Sequence, residues 1–575
     1  MSIHNADIAA AFDEIADLLS IQGANAFRIR AYRRAAQTVR GLPHQLAEAG
    51  DSSAYAELPG IGTDLAGKIA EIIATGQLAA LRKLRSEVPP GLRELLALPG
   101  LGPARVRALG TVLKIKNRTD LRRALAAGRL ASLRGFGSSL RAKLESVLTR
   151  APEATARRMP IAEAAEYAEP FRRFLAALPG VERVEIVGSY RRGRETVGDL
   201  DLLVAASAGV DVIGGLGAYA DLDTRTASGR TKASGVLRNG LQFDLRVVRP
   251  ESFGAALQYF TGSKEHGIRL RQRAHARGLK LSEYGLFHGS RRLFGRNEAQ
   301  IYSALGLAWI APELREDRGE FEAAEHDMLP RLVERADLRG DLHVHTRATD
   351  GSASLEEMVA AARAAGLSYV AITDHSKYLG IVRGLDAQRL ARHCDAIDGL
   401  NEQLHGFTVL KGAEVDILED GRLAMSDAAL APLDVIVVAI HSHFDLPEAK
   451  QTRRVLRALE RPHVTILAHP TGRLLGQRES YALDFERVLA AVHERPCYLE
   501  VNGQPLRLDL DDVHVKAAVE RGVPLALDSD AHAIGQFANL DGAVRQARRG
   551  WARKQDVLNT RSLAQLRPLL RATRG

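Results

Sequence analysis

Two acidic residues lie two positions apart in an apolar run within GSYRRGRETVGDLDLLV (188–204). In a β-strand, Asp199 and Asp201 would project from the same face. Two carboxylates on one face repel each other unless they share cations, as in phosphoryl transfer with two metal ions about 4 Å apart. Asp244, in the strand-like LQFDLRVV, is the natural third carboxylate. Because leucines flank the pair, a solvated strand edge is disfavoured, and we predict a catalytic site that binds Mg²⁺ or Mn²⁺.

A second set of candidate ligands lies at the ends of strand-like segments in the C-terminal part of the chain. It consists of histidines and acids: His343, His345, Asp350, His375, Glu414, His441, His469, Asp530 and His532. Imidazole and carboxylate ligands suit Zn²⁺, Mn²⁺ or Fe²⁺. Because one zinc ion takes about four ligands, nine candidates predict two or three ions. Such a cluster can ionise a water near neutral pH and direct it at a phosphodiester. The alternative is a degenerate barrel that only supports the rest of the chain.

The segments that carry these residues predict the folds around them. Residues 181–250 contain strand-like stretches: VERVEIVG, DLDLLVAA and LQFDLRVV. After residue 337, seven apolar strand candidates alternate with amphipathic helical stretches at intervals of roughly 30 residues. They are DLHVH, YVAITDH, FTVLKGAEV, VIVVAIHSH, VTILAHP, CYLEVN and PLALDSDAH. This repetition predicts a parallel barrel of seven βα units with the ligands at its carboxyl strand ends.

Three short glycine turns recur in the helical residues 1–150: LPGIG (58–62), LPGLG (98–102) and LRGFG (133–137). Glycine lets the backbone approach a ligand closely, and the start of the following helix offers N–H groups to a phosphate. Three such turns in a basic context resemble helix-hairpin-helix motifs, and the resemblance implies that they bind the DNA backbone without reading its sequence. The predicted contacts are Gly60, Gly62, Gly100, Gly102, Gly135 and Gly137.

The charge distribution agrees with a polyanionic partner. Residues 1–335 contain 49 Lys and Arg against 38 Asp and Glu, and residues 101–150 contain 12 against 2. Concentrated positive charge attracts nucleic acid, although a basic surface that only maintains solubility is the alternative.

Composition excludes several classes of protein. The 575 residues, 46% of them apolar, are too many for one hydrophobic core and predict several domains. Two cysteines, Cys394 and Cys497, cannot form a disulfide framework. No apolar run reaches the ~18–20 residues of a membrane span, and the N-terminus lacks the features of a signal peptide. We expect a cytoplasmic protein that does not bind membranes.

Together with YFTGS at 259–263, the aspartates and glycine turns resemble the family X DNA polymerases, and residues 1–310 are similar to DNA polymerase β. The histidine-rich barrel resembles the PHP phosphoesterase family. The resemblance implies that Asp199, Asp201 and Asp244 bind the catalytic metals, with Asp244 as the base for the primer hydroxyl. It also implies a nucleotide site formed by Gly188, Ser189, Arg192, Gly198, Tyr259, Phe260 and Gly262.

The fold class that follows is multidomain, α+β and α/β. The expected parts are a helical lyase-like domain with the first helix-hairpin-helix motif (1–85), a helix-hairpin-helix fingers domain (86–155), a nucleotidyltransferase palm (156–250), a thumb (251–315), a helical or extended linker (316–337) and a seven-stranded PHP barrel (338–575).

The implied activity is template-directed filling of short gaps during DNA repair, including base excision repair. The barrel would add a 3′–5′ exonuclease, with abasic-site endonuclease as a further candidate activity. Expected partners are gapped or nicked DNA, dNTPs and other repair proteins such as a ligase, and the chain is expected to be a monomer. Two alternatives stay open: a DNA-end-binding scaffold with relic sites, and a non-DNA nucleotidyltransferase fused to a small-molecule phosphatase.

Lys68 follows the first glycine turn. The resemblance places it at the Schiff-base lysine that excises a 5′-deoxyribose phosphate in DNA polymerase β. Asp64, one helical turn earlier, argues against that role. Lyase activity and a surface ion pair are both open.

Overall fold

A computed structural model describes residues 3–574 except 4, 41, 43–45, 49–54, 57, 59, 97, 99, 134, 138–139, 142–143, 146–147, 149–157 and 378–382. The chain forms two compact units, Met1–Thr155 with Arg473–Ser480, and Ala156–Gly472 with Tyr481–Gly575. None of the helices in the described residues is both long and apolar enough to cross a membrane.

The first unit is helical, as its periodicity predicts. Apolar side chains at helical spacing, such as Ile8, Phe12 and Ile15, are fully buried in one core. Its helices are α1 (Asn5–Gln22), α2 (Ala26–Arg40), α3 (Thr63–Thr75), α4 (Ala79–Glu87), α5 (Pro90–Leu95), α6 (Pro103–Val112) and α7 (Arg118–Ala126).

The second unit begins with a mixed sheet. The strands are β1 (Met159–Pro160), β2 (Val181–Ile186), β3 (Thr196–Val197), β4 (Asp199–Ala206), β5 (Leu222–Ser228), β6 (Lys232–Leu237) and β7 (Gln242–Val248). Five of them form a sheet in the order β2-β4-β7-β6-β5, in which only β4 and β7 run parallel. The accompanying helices are α8 (Ile161–Ala176), α9 (Gly188–Arg191) and α10 (Val212–Gly215). The predicted strands are β2, β4 and β7, whereas β5 and β6, with few large apolar residues, were not predicted.

Helices and a small antiparallel sheet follow. They are α11 (Phe253–Thr261), α12 (Lys264–Ala276), β8 (Lys280–Ser282), β9 (Gly285–His288), β10 (Arg291–Phe294), α13 (Glu298–Ala304) and α14 (Glu320–Glu325). Strands β8 and β9 form an antiparallel hairpin within LKLSEYGLF. The segment expected to be a helical or extended linker, 316–337, contains α14, and its Phe321 packs into the same core as Tyr302.

The C-terminal part is a barrel of seven parallel strands in sequential order, as predicted. The strands are β11 (Gly340–Val344), β12 (Tyr369–Ile372), β13 (Thr408–Asp416), β14 (Val435–Ala439), β15 (Ile466–Leu467), β16 (Tyr498–Asn502) and β17 (Leu525–Asp528). The helices are α15 (Leu355–Ala364), α16 (Ala387–Gln403), α17 (Asp427–Leu430), α18 (Glu448–Leu459), α19 (Phe485–His493), α20 (Asp512–Glu520), α21 (Leu540–Arg549) and α22 (Leu563–Ala572).

One buried asparagine joins the first and last strands of the barrel. The Asn559 amide donates to the carbonyls of Gly340 on β11 (2.9 Å) and Leu527 on β17 (2.6 Å) and accepts from the Leu527 N–H (3.0 Å). Further along, Val344 and Ala531 form a parallel bridge. The sheet is therefore nearly closed, and its carboxyl strand ends converge on one area.

Two candidate metal centres and a candidate DNA interface

The three predicted aspartates converge because β4 and β7 are parallel and in register. Asp201 lies opposite Asp244 across the two strands, and Asp199 lies two residues before Asp201 on the same face. One carboxylate oxygen from each lies within 4.8 Å of the others. Ser234, on the other neighbouring strand, donates to Asp244 Oδ1. This arrangement gives a set of oxygen ligands for divalent cations.

Electrostatics in this cluster favour bound cations. Burial, together with the charges of Asp199 and Asp244, raises the pKa of Asp201 to about 7. Burial and the Asp244 charge also raise the pKa of Asp199. Three acids held this close repel one another unless protons or metal ions reduce their charge. The donor set therefore fits the predicted Mg²⁺ or Mn²⁺.

A cavity of about 370 Å³ opens beside the aspartates. Gly188 is required at its wall, because its φ is +59° and an added Cβ would overlap Asp201 Oδ2. Of the predicted nucleotide-binding residues, Gly188, Ser189, Arg192, Phe260 and Gly262 line the cavity, whereas Gly198 and Tyr259 do not. Arg158 and Arg194 also line it and were not predicted. Arg194 belongs to the same basic GSYRRGR run, which could have indicated it.

The barrel brings its predicted ligands together at the carboxyl ends of the strands. Three overlapping groups have ligand atoms within 4.8 Å: His345 with Asp350, His375 and His532; His343 with His345 and Asp530; and His375 with Glu414 and His441. His469 belongs to none of these groups, but its Nε2 lies 3.0 Å from Glu414 Oε1. All nine predicted residues therefore lie in one connected cluster.

Orphaned imidazole nitrogens show that this cluster suits metal ions. Neither ring nitrogen of His345 has a hydrogen-bond partner among the described residues, although its Nε2 lies 3.3 Å from Asp530 Oδ1. Burial and the neighbouring imidazoles of His532 and His375 lower the pKa of His345 to about 4. A buried neutral imidazole without hydrogen bonds is costly unless a metal ion occupies it. Two or three Zn²⁺, Mn²⁺ or Fe²⁺ ions fit this donor set.

Carboxylates behind the cluster orient two of the histidines, and the sequence reasoning missed both. His343 Nδ1 lies 2.5 Å from Glu500 Oε1, and His441 Nδ1 lies 3.0 Å from Asp416 Oδ1. Such contacts fix which imidazole nitrogen faces a metal. The available signal was a polar pair two residues apart inside a buried strand: Glu414 with Asp416 on β13.

The glycine turns of the first unit have the expected shape. Gly60 and Gly100 have φ of +75° and +80°, which glycine adopts without strain. Gly62 and Gly102 then cap α3 and α6 without a side-chain hydrogen bond, and each has open space where a Cβ would lie. Each helix can thus offer N–H groups of its first turn to a phosphate, although Pro103, the first residue of α6, has no N–H. Gly135 and Gly137 form the third turn, but part of its helix lies outside the described residues.

Lys68 forms an ion pair with Asp64, as the alternative to lyase activity predicts. Its Nζ donates to Asp64 Oδ1 one turn earlier on α3. The Lys68 side chain is 16% exposed and that of Asp64 is 81% exposed.

Four family models match successive parts of the chain. They are a helix-hairpin-helix domain (residues 3–78), the DNA polymerase beta palm (158–243), the DNA polymerase beta thumb (256–316) and the PHP domain (341–504). Their order agrees with the order of domains expected from the sequence.

Curated relatives extend this likeness to the whole chain. A Bacillus subtilis protein named "DNA polymerase/3'-5' exonuclease PolX" is 37% identical over 577 residues, covering 99% of this chain and 100% of the relative. Shorter relatives include proteins named "Probable phosphatase". One from Thermoanaerobacter is 27% identical over 38% of this chain and 89% of its own length. One from Syntrophotalea carbinolica is 29% identical over 36% of this chain and 84% of its own length.

Proposed function

The chain belongs to the family X DNA polymerases that carry a C-terminal PHP domain, and from this premise we propose a role for each of its sites. It is a DNA polymerase, and its PHP domain is a phosphoesterase with 3′–5′ exonuclease activity. A scaffold with relic sites is disfavoured because the aspartates and the barrel ligands each converge. A non-DNA nucleotidyltransferase is disfavoured because the DNA polymerase beta models and a relative named a DNA polymerase match this chain.

In the palm, the observation that carries the proposal is the convergence of three carboxylates beside a cavity with three arginines. Asp199, Asp201 and Asp244 would hold Mg²⁺ or Mn²⁺, which when bound stabilise charge on the attacking and leaving oxygens. Asp244, oriented by Ser234, would accept the proton of the primer 3′-hydroxyl.

The arginines and glycines of the cavity would bind the nucleotide. Arg158, Arg192 and Arg194 would contact the triphosphate through charge-assisted hydrogen bonds. Gly188 and Ser189 would leave room for its phosphates, and Phe260 and Gly262 would lie beside the sugar. Gly198 and Tyr259, which do not line the cavity, are proposed to act through their backbone.

In the barrel, the nine clustered side chains would hold two or three Zn²⁺, Mn²⁺ or Fe²⁺ ions, which when bound activate water for hydrolysis of a phosphodiester. Glu500 and Asp416 would keep the imidazoles of His343 and His441 in the ligating orientation. We propose the terminal 3′ nucleotide as the main substrate and an abasic site as a second substrate of the same cluster.

The DNA substrate would be a short gap or nick. The three glycine turns would bind backbone phosphates, so this part of the affinity would not depend on sequence. We propose domain boundaries after residues 85, 155, 250, 315 and 337. We also propose a cytoplasmic monomer that acts with other repair proteins such as a ligase.

A 5′-labelled primer on gapped DNA tests both activities in one assay. With Mg²⁺ or Mn²⁺ and dNTPs the primer should lengthen, and without dNTPs it should shorten from its 3′ end. A matched duplex with an abasic site tests the second substrate. A primer that neither lengthens nor shortens, with gapped DNA still bound, would support the scaffold alternative and contradict the proposal.

A further inference from the structure

Arg192, at the wall of the nucleotide cavity, is held by Thr261 and Glu316, neither of which lines the cavity. Its Nη1 donates to the Thr261 carbonyl at 2.7 Å, and its Nε donates to Glu316 Oε1 at 3.1 Å. The Arg192 side chain is only 12% exposed. Both contacts fix the plane of the Arg192 guanidinium group. The direction in which its remaining N–H groups point, including both on Nη2, therefore depends on the position of Glu316.

Glu316 is itself held by the barrel. Arg549, the last residue of α21, donates from Nη1 to Glu316 Oε1 at 3.0 Å and to the Arg192 carbonyl at 2.7 Å. Its Nη2 donates to Asp512 Oδ2 at 2.5 Å, and Arg318 donates to the same oxygen at 2.9 Å. A chain of alternating charges thus runs from the nucleotide cavity into the PHP barrel.

This chain of charges is buried, so its members depend on one another. The side chains of Arg549 and Glu316 are 2% and 9% exposed. Burial raises the pKa of Glu316, but the charges of Arg192, Arg549 and Arg194 outweigh it and lower the pKa below its ordinary value. Removing one member of a buried ion pair leaves the other uncompensated. Glu316 is therefore ionised and its position is closely determined.

Arginine is required at position 549 for a geometric reason. One planar guanidinium reaches a carboxylate, a backbone carbonyl and a second carboxylate at once, which a lysine ammonium on a flexible stem cannot reproduce. The Arg545 side chain of α21 also lies close to the palm, since a Cβ added at Gly193 would lie 2.6 Å from Arg545 Cγ. The turn that carries Arg192 is thus fixed from the barrel side.

We propose that Glu316 and Arg549 are positioning residues for the polymerase reaction, through which the PHP barrel orients Arg192 toward the triphosphate of the incoming nucleotide. This inference rests on the proposed nucleotide site. The barrel would then have two roles: its own hydrolysis, and support of dNTP binding in the palm. The two roles involve different residues, so they can be separated by mutation.

The test is steady-state incorporation of one dNTP on gapped DNA by the full-length protein. Glu316→Gln and Arg549→Lys should each raise the KM for dNTP about tenfold, a typical size for coupling between sites. The kcat should change by less than about twofold, because the aspartates are untouched. Arg548→Gln is the matched control: Arg548 is also on α21 and contacts Glu313 and the Val333 carbonyl, but not Glu316 or Arg192. It should leave the KM unchanged.

A double-mutant cycle tells positioning apart from general destabilisation. In an Arg192→Ala background, Glu316→Gln should raise the KM no further. The inference would be overturned if Glu316→Gln raised the KM for dNTP as much in the Arg192→Ala background as it does alone. It would also be overturned if both single variants, Glu316→Gln and Arg549→Lys, left the KM unchanged. If Arg192→Ala itself leaves the KM unchanged, the nucleotide-site assignment fails instead. Exonuclease activity and Tm are measured on each variant to check that it folds. If either Glu316→Gln or Arg549→Lys fails to fold, the KM of the other variant tests the inference.

Discussion

Replacing Asp201 with asparagine should stabilise the protein while abolishing DNA synthesis. Asp201 is crowded by two other carboxylates, and burial with their charges raises its pKa to about 7. The substitution keeps the shape of the side chain and removes the charge. Without divalent metal, the folded state should gain free energy from the loss of this repulsion. The price is a missing metal ligand, so primer extension should fall below detection.

The size and pH dependence of the stability gain follow from that pKa. A raised pKa means that the folded state holds a proton that the unfolded chain releases near its ordinary pKa, so Asp201 destabilises the fold increasingly as pH rises to about 7 and constantly above it. Each tenfold change in proton affinity is worth ~1.4 kcal/mol, which makes the full effect about 4 kcal/mol. Because water reaches part of the site, we expect roughly 2–4 kcal/mol.

Thermal unfolding in EDTA at pH 5.5 and pH 8 measures this effect. Asp201→Asn should unfold at a higher temperature than wild type, with the larger difference at pH 8, and added Mg²⁺ should stabilise only the wild type substantially. Asp199→Asn is the control. Because the Asp199 carboxylate is exposed, this substitution should raise the unfolding temperature less, while primer extension is lost to a similar degree. The 3′ exonuclease of both variants should persist. Equal stability at pH 8, or retained extension by Asp201→Asn, would refute the reasoning.

Three further outcomes are expected. Gly102→Val should weaken the binding of gapped DNA equally for all DNA sequences. It should change Tm little, because the φ of Gly102 is −72° and a Cβ there has open space. The control Gly100→Val should lower Tm, because the φ of Gly100 is +80°. Unchanged affinity of Gly102→Val at physiological salt would count against backbone binding. Replacing His343 and His345 together with alanine should eliminate exonuclease activity and reduce bound metal while extension persists, and full metal occupancy would contradict the ligand assignment. Borohydride should trap no adduct with 5′-incised abasic DNA; an adduct that Lys68→Ala removes would instead establish the lyase.

The barrel strands and the three aspartates could be predicted because each is marked by a pattern within a single short segment of the sequence. Every barrel strand except β16 is an apolar run with a predicted histidine or acid at or just after its carboxyl end, as in β11 with His343 and His345, and parallel strands bring such ends together. Likewise, the two-residue spacing of Asp199 and Asp201 determines a shared face as soon as the segment is a strand. The third carboxylate, Asp244, needed only one further apolar run.

The residues that escaped prediction are those whose role depends on distant partners. Glu500 lies 157 positions from His343, and Arg549 lies 233 positions from Glu316. Neither Glu500 nor Arg549 is distinguished from an ordinary polar residue by its own neighbours in sequence. Strands β5 and β6 escaped for a related reason, because β6 is held in the sheet by pairing with β7, and β5 by pairing with β6, rather than by their own apolar residues.

The position of the acidic run 313–325 depends on basic residues in other segments of the chain, so it cannot be predicted from the run alone. The sequence of this run predicts a helical or extended linker. In the structure its acids face basic or imidazole side chains on α12 and at the end of α21: Glu313 with Arg548, Glu316 with Arg549, Asp317 and Glu322 with Arg269, Glu320 with His266, and Glu325 with Arg273. Burial lowers the pKa of His266, so its imidazole is a neutral hydrogen-bond partner of Glu320. Exposed pairs of this kind contribute at most about 1 kcal/mol each, so the run owes its position mainly to the buried Glu316 and Glu320. Since the run offsets the cations of the thumb, the positive charge that remains to attract DNA lies mainly in residues 1–155, with 22 basic and 14 acidic side chains.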